Sequence, residues 1–133
     1  MEAKMTKTGR ELLCKAHAGD VPLSPIAYIA LGSGGCSEGV PIAVTGTETA
    51  LKQELLKKEI ESHTYVEEPD ESTGAIQVKT RYSITLANTE LANEIISEAG
   101  LVDAAGNLIA YLTFTEKGKD ADMEITFNID ELF

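Results

Sequence analysis

The sequence predicts an α+β fold: two short N-terminal helices packed on a mostly antiparallel β-sheet or meander, with a β-rich second half. Three observations carry this. Thr8-Gly9-Arg10-Glu11 and Thr45-Gly46-Thr47-Glu48 each read as a capping box ahead of apolar residues at helical spacing. Residues 76–86 alternate apolar and polar without a break. Residues 94–114 read as strand, tight turn, strand, the pattern around which the rest of the chain is organised.

The first helix is expected over about residues 9–18. Leu12, Leu13, Cys14 and Ala16 supply its apolar face, and Gly19 supplies a stop. Residues 26–31 (IAYIAL) are a continuous apolar run of strand length, the mark of a buried strand. A Gly-rich stretch, Gly32 to Gly39, follows as a surface loop. The second helix is expected over about 48–55, with Leu51 and Leu55 on one face, and a strand over 57–66; a helix running on to Ser62 fits the same residues. Residues 67–74 form an acidic, solvated turn.

Further strands are expected over 76–87, 94–101, 107–115 and 122–130. Ile76, Val78, Thr80, Tyr82, Ile84 and Leu86 share one face of their strand; Met123, Ile125, Phe127 and Ile129 share one face of the last. These two apolar faces should dominate the core. Leu108, Ala110, Leu112 and Phe114 make the arm after the turn half-buried, and Gly106 can take the positive φ of the turn at 103–107. The arm before it is ambiguous. Leu91, Ala92, Ile95, Ile96 and Ala99 also fit a helical stripe with Thr89 as N-cap and Gly100 just past the end.

A chain of 133 residues at 43% hydrophobic and 25% charged is long enough for one domain with its own core. No apolar run reaches the ~20 residues of a membrane span, and the N-terminus has no apolar signal segment. The chain is therefore expected to stay in the compartment where it is made. Net charge is −11, and its placement is uneven: residues 1–60 carry seven basic and seven acidic side chains, residues 61–133 four and fifteen. Nucleic-acid binding needs a basic footprint that this distribution lacks.

Two cysteines are too few for a disulfide framework. Cys14 reads as a buried thiol on the helix face, Cys36 as a more exposed one in the Gly-rich loop. His17 and His63 stand at no ligand spacing to either, so no zinc site is expected. The acidic turn lacks the spacing of a calcium loop. The Gly-rich loop after a strand has the look of a phosphate cradle but lacks the Gly-Lys-Ser/Thr ending, and no helix follows directly. Cys36 as a nucleophile would need a positioned base that nothing in the sequence supplies. No enzyme, cofactor or metal is expected.

Four segments carry a resemblance. They are MTKTGRELLCKAHAG (residues 5–19), YIALGSGG (28–35), the T-x-L-x-x-E-L-x-x-K-x-I pattern over 49–60, and SEAGLVDAAGNLIAY (97–111). In order and spacing they resemble the N-terminal domain of phage tail-collar fibre proteins, over about residues 6–114. Gln53 stands where that family has Asn, Lys58 where it has Arg, and Ser33 where its loop has Asp. The resemblance implies a non-enzymatic virion component: a phage or prophage tail or baseplate protein that works by protein–protein assembly. It implies partners among other tail proteins, a homo-oligomer (a trimer by analogy), and location in the virion tail after assembly in the host cytoplasm. The sequence ends at Phe133 without a fibre shaft, which fits a stand-alone baseplate or connector protein, a trimmed piece of a longer chain or a prophage remnant, and bears against a fibre role more than against a tail-structural one. Candidate interaction residues are Gly34 and Gly35 in the loop, Asp103 and Asn107 at the hairpin tip, and the apolar Leu132 and Phe133. The alternative is a small-ligand binding module using the Gly32–Gly39 loop.

Overall fold

The computed structural model describes residues 1–133. In chain order its elements are β1 (Glu2–Met5), α1 (Lys7–His17), β2 (Ile26–Gly32), β3 (Cys36–Ser37), β4 (Val40–Pro41), β5 (Glu54–Glu59), β6 (Ser62–Pro69), β7 (Ile76–Leu86), β8 (Glu94–Asp103), β9 (Leu108–Lys119) and β10 (Ile125–Leu132). Strands hold 53% of the residues and the single helix 8%, so the expected α+β fold with two helices is corrected to a mostly β one.

The main sheet has the order β5-β2-β8-β9-β1-β10-β7-β6, and it curls until its ends meet. Only Ile60 and Glu61 separate β5 from β6. Ile60 N donates to Ala27 O of β2 at 3.0 Å, and the next residue, Glu61 N, donates to Ser83 O of β7 at 3.0 Å. One strand-like segment thus pairs with both ends of the sheet and joins them. β1 makes a second corner: Glu2 and Ala3 run parallel to β10, while Lys4 and Met5 pair antiparallel with β9. Strands that switch partner in this way are how two sheets close around one core. The second half is not a meander, because β7 lies between β6 and β10 while β8 lies between β2 and β9.

The interior is filled by Ala3, Ile29, Leu31, Ile84, Leu86, Ile96, Ala99, Leu101, Ala110, Leu112, Phe127 and Ile129. The two strands expected to dominate it do so only in part. Ile84 and Leu86 are buried, but Ile76 and Val78, in phase with them, are 64% and 44% exposed, because that half of β7 runs beyond the barrel.

The two halves of the barrel differ on the outside. On β7 and β10 the outer face is polar: Arg81 makes a two-pronged pair with Asp130 at 2.8 and 3.0 Å, and Lys79 is held between Glu2 and Glu68. On β8 and β9 the outer face is covered as well. Ala30, Leu51, Val102, Leu108 and Tyr111 form a second cluster there, with Tyr28 and Val44 against it. The arm expected to be half-buried is therefore buried on both faces from Leu108 to Leu112. A register shift beside Val102 also turns Leu108 out of the main core, away from Ala110 and Leu112.

Helix α1 lies on β9. Its cap is Thr6, not Thr8: the Thr6 hydroxyl accepts from Gly9 N at 3.0 Å and donates to Leu108 O at 2.6 Å, which fastens the helix start to the hairpin. A Cβ on Gly9 would stand 2.4 Å from Ile109 O, so only glycine allows this approach. The inward stripe is Gly9, Leu12, Leu13 and Ala16; Cys14 falls off it and is exposed, which corrects its expected burial.

The second helix is absent. Residues 48–53 are irregular, and β5 starts at Glu54. Half of the capping box forms all the same: Glu48 Oε2 accepts from Thr45 N at 2.9 Å and Oε1 from Gly46 N at 2.8 Å. No helix follows, because Leu51 is drawn into the outer cluster and the amides of Lys52 and Gln53 bond Glu98. The strand expected over 57–66 is two strands, β5 and β6, meeting at the corner. At residues 91–99 the strand reading holds from Glu94 onward. Leu91 and Asn93 take positive φ (51° and 63°) in the turn before it, which stops any helix.

Candidate functional site

The Gly-rich loop is fastened, not free. Glu98, fully buried on β8, collects four donors: Gly34 N (2.7 Å) and Gln53 N (2.8 Å) on Oε2, Lys52 N (2.8 Å) and the Tyr111 hydroxyl (2.7 Å) on Oε1. Next to it Gly35 N donates to Ser97 Oγ at 2.9 Å. A Cβ on Gly35 would stand 1.9 Å from Ser97 O, so the close approach of loop to strand demands glycine. Burial and the neighbouring Glu98 carboxylate both push the Tyr111 phenol upward, which keeps it a donor. The amides that would cradle a phosphate are thus already bonded to the protein's own carboxylate and hydroxyl. Beyond them the loop folds into the small β3–β4 hairpin, where Cys36 donates its thiol to Phe114 O at 3.3 Å.

Of the six candidate interaction residues, Gly34 and Gly35 lie at the end of the barrel where β2 finishes. Asp103, Asn107, Leu132 and Phe133 lie at the other end. Asp103 is buried and serves its own turn, accepting from Ala105 N, Asn107 N and Asn107 Nδ2 at 3.0, 2.8 and 3.1 Å. Gly106 takes φ +92° there, as the turn requires. Leu132 is half-buried. Phe133 is 57% exposed and stands at the rim of a cavity.

That cavity is the mouth of the barrel, about 380 Å³. Its walls come from Leu13 of α1, residues 23–26, Met5, Ile109, and the inner faces of β6, β7 and β10. β6 and β7 contribute His63, Tyr65, Thr80 and Tyr82, which pair across the strands as His63 with Tyr82 and Tyr65 with Thr80. The His63 ring lies 5.7 Å from that of Tyr65 and 6.2 Å from that of Tyr82. Glu131 closes the group from β10, 6% exposed. Its one donor is the Tyr82 hydroxyl at a long 3.4 Å, and no lysine or arginine reaches it. Burial pushes the Glu131 carboxyl up, and burial beside that carboxyl pushes the Tyr82 phenol up to about 12. A second depression, about 480 Å³ over Glu68 to Lys79, has no hydrophobic lining.

Tyr65, Tyr82 and Glu131 were not singled out from the sequence as site residues, and His63 was weighed only as a partner for the cysteines. The signal was present in the period of the last strand. Phe127 and Ile129 face inward, so Glu131, two residues on, must face inward too, a carboxylate in phase with the core.

The raised Glu131 carboxyl has a consequence for stability. The folded protein binds its proton more tightly than the unfolded chain does. The contribution of this group is therefore intact below the ordinary carboxylate value and lost as the pH rises through the folded one. Glu131→Gln, which has no charge to bury, is expected to melt higher than the parent near pH 7, with the gap closing towards about pH 4. Paired thermal melts across that range check it; a lower melting point for the variant near pH 7 would contradict the assignment.

In comparison with known proteins, no family model, no curated protein and no solved structure matches this sequence.

Proposed function

We propose that this chain is a non-enzymatic structural part of a phage or prophage tail, working by protein–protein assembly at a fibre attachment or collar, as a homo-oligomer with three copies by analogy. The observation that supports it best is where the four segments resembling tail-collar fibre domains meet. Glu98 of the fourth segment binds Gly34 of the second and Lys52 and Gln53 of the third. Thr6 of the first caps its helix against Leu108 of the fourth. Residues that carry the resemblance thus join separate parts of the fold, as expected of a structural signature rather than a catalytic one.

A second feature points to assembly. Leu23, Tyr65, Ile76, Val78 and Phe133 are all exposed, and Phe133 N is bonded to Val78 O across the strands. Exposed apolar side chains grouped in this way favour a partner. The alternative that places a small ligand in the Gly32–Gly39 loop gains nothing from the geometry, since the amides of Gly34 and Gly35 are bonded internally.

Light scattering across concentration, with sedimentation of lysates from induced source cells, tests the proposal. A stable oligomer that co-sediments with tail particles is the expected result. A monomer at every concentration that never enters the particle fractions would refute it.

A further inference from the structure

The barrel mouth, which shares Leu23, Tyr65 and Phe133 with the exposed apolar face, has the makings of a cation site on grounds that do not rest on the tail assignment. A cavity of about 380 Å³ falls at the small end of the ~300–1,000 Å³ typical of ligand pockets. Most of its lining is apolar, yet it holds one nearly buried carboxylate, Glu131, with no cation opposite. The adjacent carboxylate on the outer face of the same strand is treated otherwise: Asp130 has Arg81 bound to it at 2.8 Å. Burying an acid without a counter-charge is destabilising, and such groups mark candidate sites.

Around Glu131 stand aromatic rings. Tyr82 touches it, His63 bridges from Tyr82 to Tyr65, and Phe133 lies on the rim. Aromatic faces attract an alkylated or primary ammonium, and a carboxylate at the base neutralises it; the apolar walls of Leu13, Leu23 and Ile26 suit the carbon stem behind it. The long-range field agrees, since the chain carries a net charge of −11.

We propose that this mouth binds an alkylammonium group, with Glu131 as its counter-ion and Tyr65 and Tyr82 as its aromatic walls. The shared chemistry is a cationic nitrogen on an apolar stem. Its source is either a small organic cation or the lysine side chain of another protein.

Amide NMR spectra of the full chain, titrated near pH 8 with hexyltrimethylammonium chloride, test this, with hexanol and sodium hexanoate as neutral and anionic controls. A second arm uses acetyl-Gly-Lys-Gly-amide and the same peptide with its lysine acetylated. The expected result is saturable shifts at His63, Tyr65, Thr80, Tyr82 and Glu131 that neither control reproduces. Glu131→Gln should weaken binding about tenfold and Tyr65→Ala about threefold. Tyr65 is 77% exposed, so its removal leaves the fold intact. Saturation by the lysine peptide but not by its acetylated form assigns the site to a protein side chain. Binding of the free cation alone assigns it to a small molecule. The proposal is overturned if both cations leave these amides unmoved, if hexanol gives the same shifts, or if neither substitution weakens binding.

Discussion

Glu98→Ala is expected to lower the unfolding free energy by about 3–5 kcal/mol and the melting temperature by roughly 10–20 °C. The carboxylate is fully buried and satisfies three backbone amides and one phenol at 2.7–2.8 Å. Truncation leaves those four donors facing a cavity. The amides belong to two separate loops, so both loops lose their anchor to β8 together. Glu98→Gln separates shape from charge and acceptor count: it keeps the volume but removes the charge and turns an NH2 group towards donors, and should still cost about 2–3 kcal/mol. Tyr111→Phe removes one donor of the four and should cost about 1 kcal/mol. Urea unfolding of the three variants measures all of this. A loss below about 1 kcal/mol for Glu98→Ala would mean that water replaces the carboxylate freely and that the node does not hold the loops.

Phe127→Ala should cost about 3–5 kcal/mol by the same measurement. Phe127 is 1% exposed at the middle of β10, opposite Ile84, with the Phe114 ring 6.2 Å away at 44°. The loss joins the transfer of a large side chain to water with a cavity that the closed sheet cannot collapse around. Leu86→Ala, at a fully buried position on β7, should cost about 2–5 kcal/mol. Ile76→Ala offers the contrast. It has the same parity on the same strand but is 64% exposed, and should change stability by less than about 0.5 kcal/mol. If Ile76→Ala proved as damaging as Leu86→Ala, the view that the first half of β7 projects past the barrel would fail.

The pairing of these strands explains why the sequence reading succeeded where it did. β7 and β10 have one solvated face, so their alternation is plain, and the strands fall close to where the pattern puts them. β9 has two covered faces. Its apolar residues run together, and a half-buried arm was expected where Leu108 to Leu112 are buried throughout. The outer cover comes from α1 and from residues 44–51, and nothing within β9 announces that they will lie there.

The capping boxes teach the same lesson at shorter range. The pattern at Thr8 and Glu11 pointed to Thr8 as the cap, and docking decided for Thr6, whose hydroxyl also reaches Leu108 O. At Thr45 the carboxylate half of a capping box formed without a helix, because more distant groups claimed the backbone that would have continued it. Cys14 went from expected burial to exposure through a small rotation of the helix stripe towards Gly9.

By itself the sequence determined the strands expected over 26–31 and 76–87, found at Ile26–Gly32 and Ile76–Leu86, the turn with Gly106 at positive φ, and the uneven acidic charge. These follow from period-two alternation, from glycine's backbone freedom and from counting, all of them local. The tertiary structure decided the rest. Only in the folded chain do Ile60 and Glu61 join the two ends of the sheet, and only there does Glu98 meet amides 45, 46 and 64 residues away. The mouth around Glu131 likewise exists only where β6, β7, β10 and α1 converge. A residue's pattern with its neighbours fixes which way it points along a strand. What it then points at is set by closure of the barrel, which brings together segments that share no local signal.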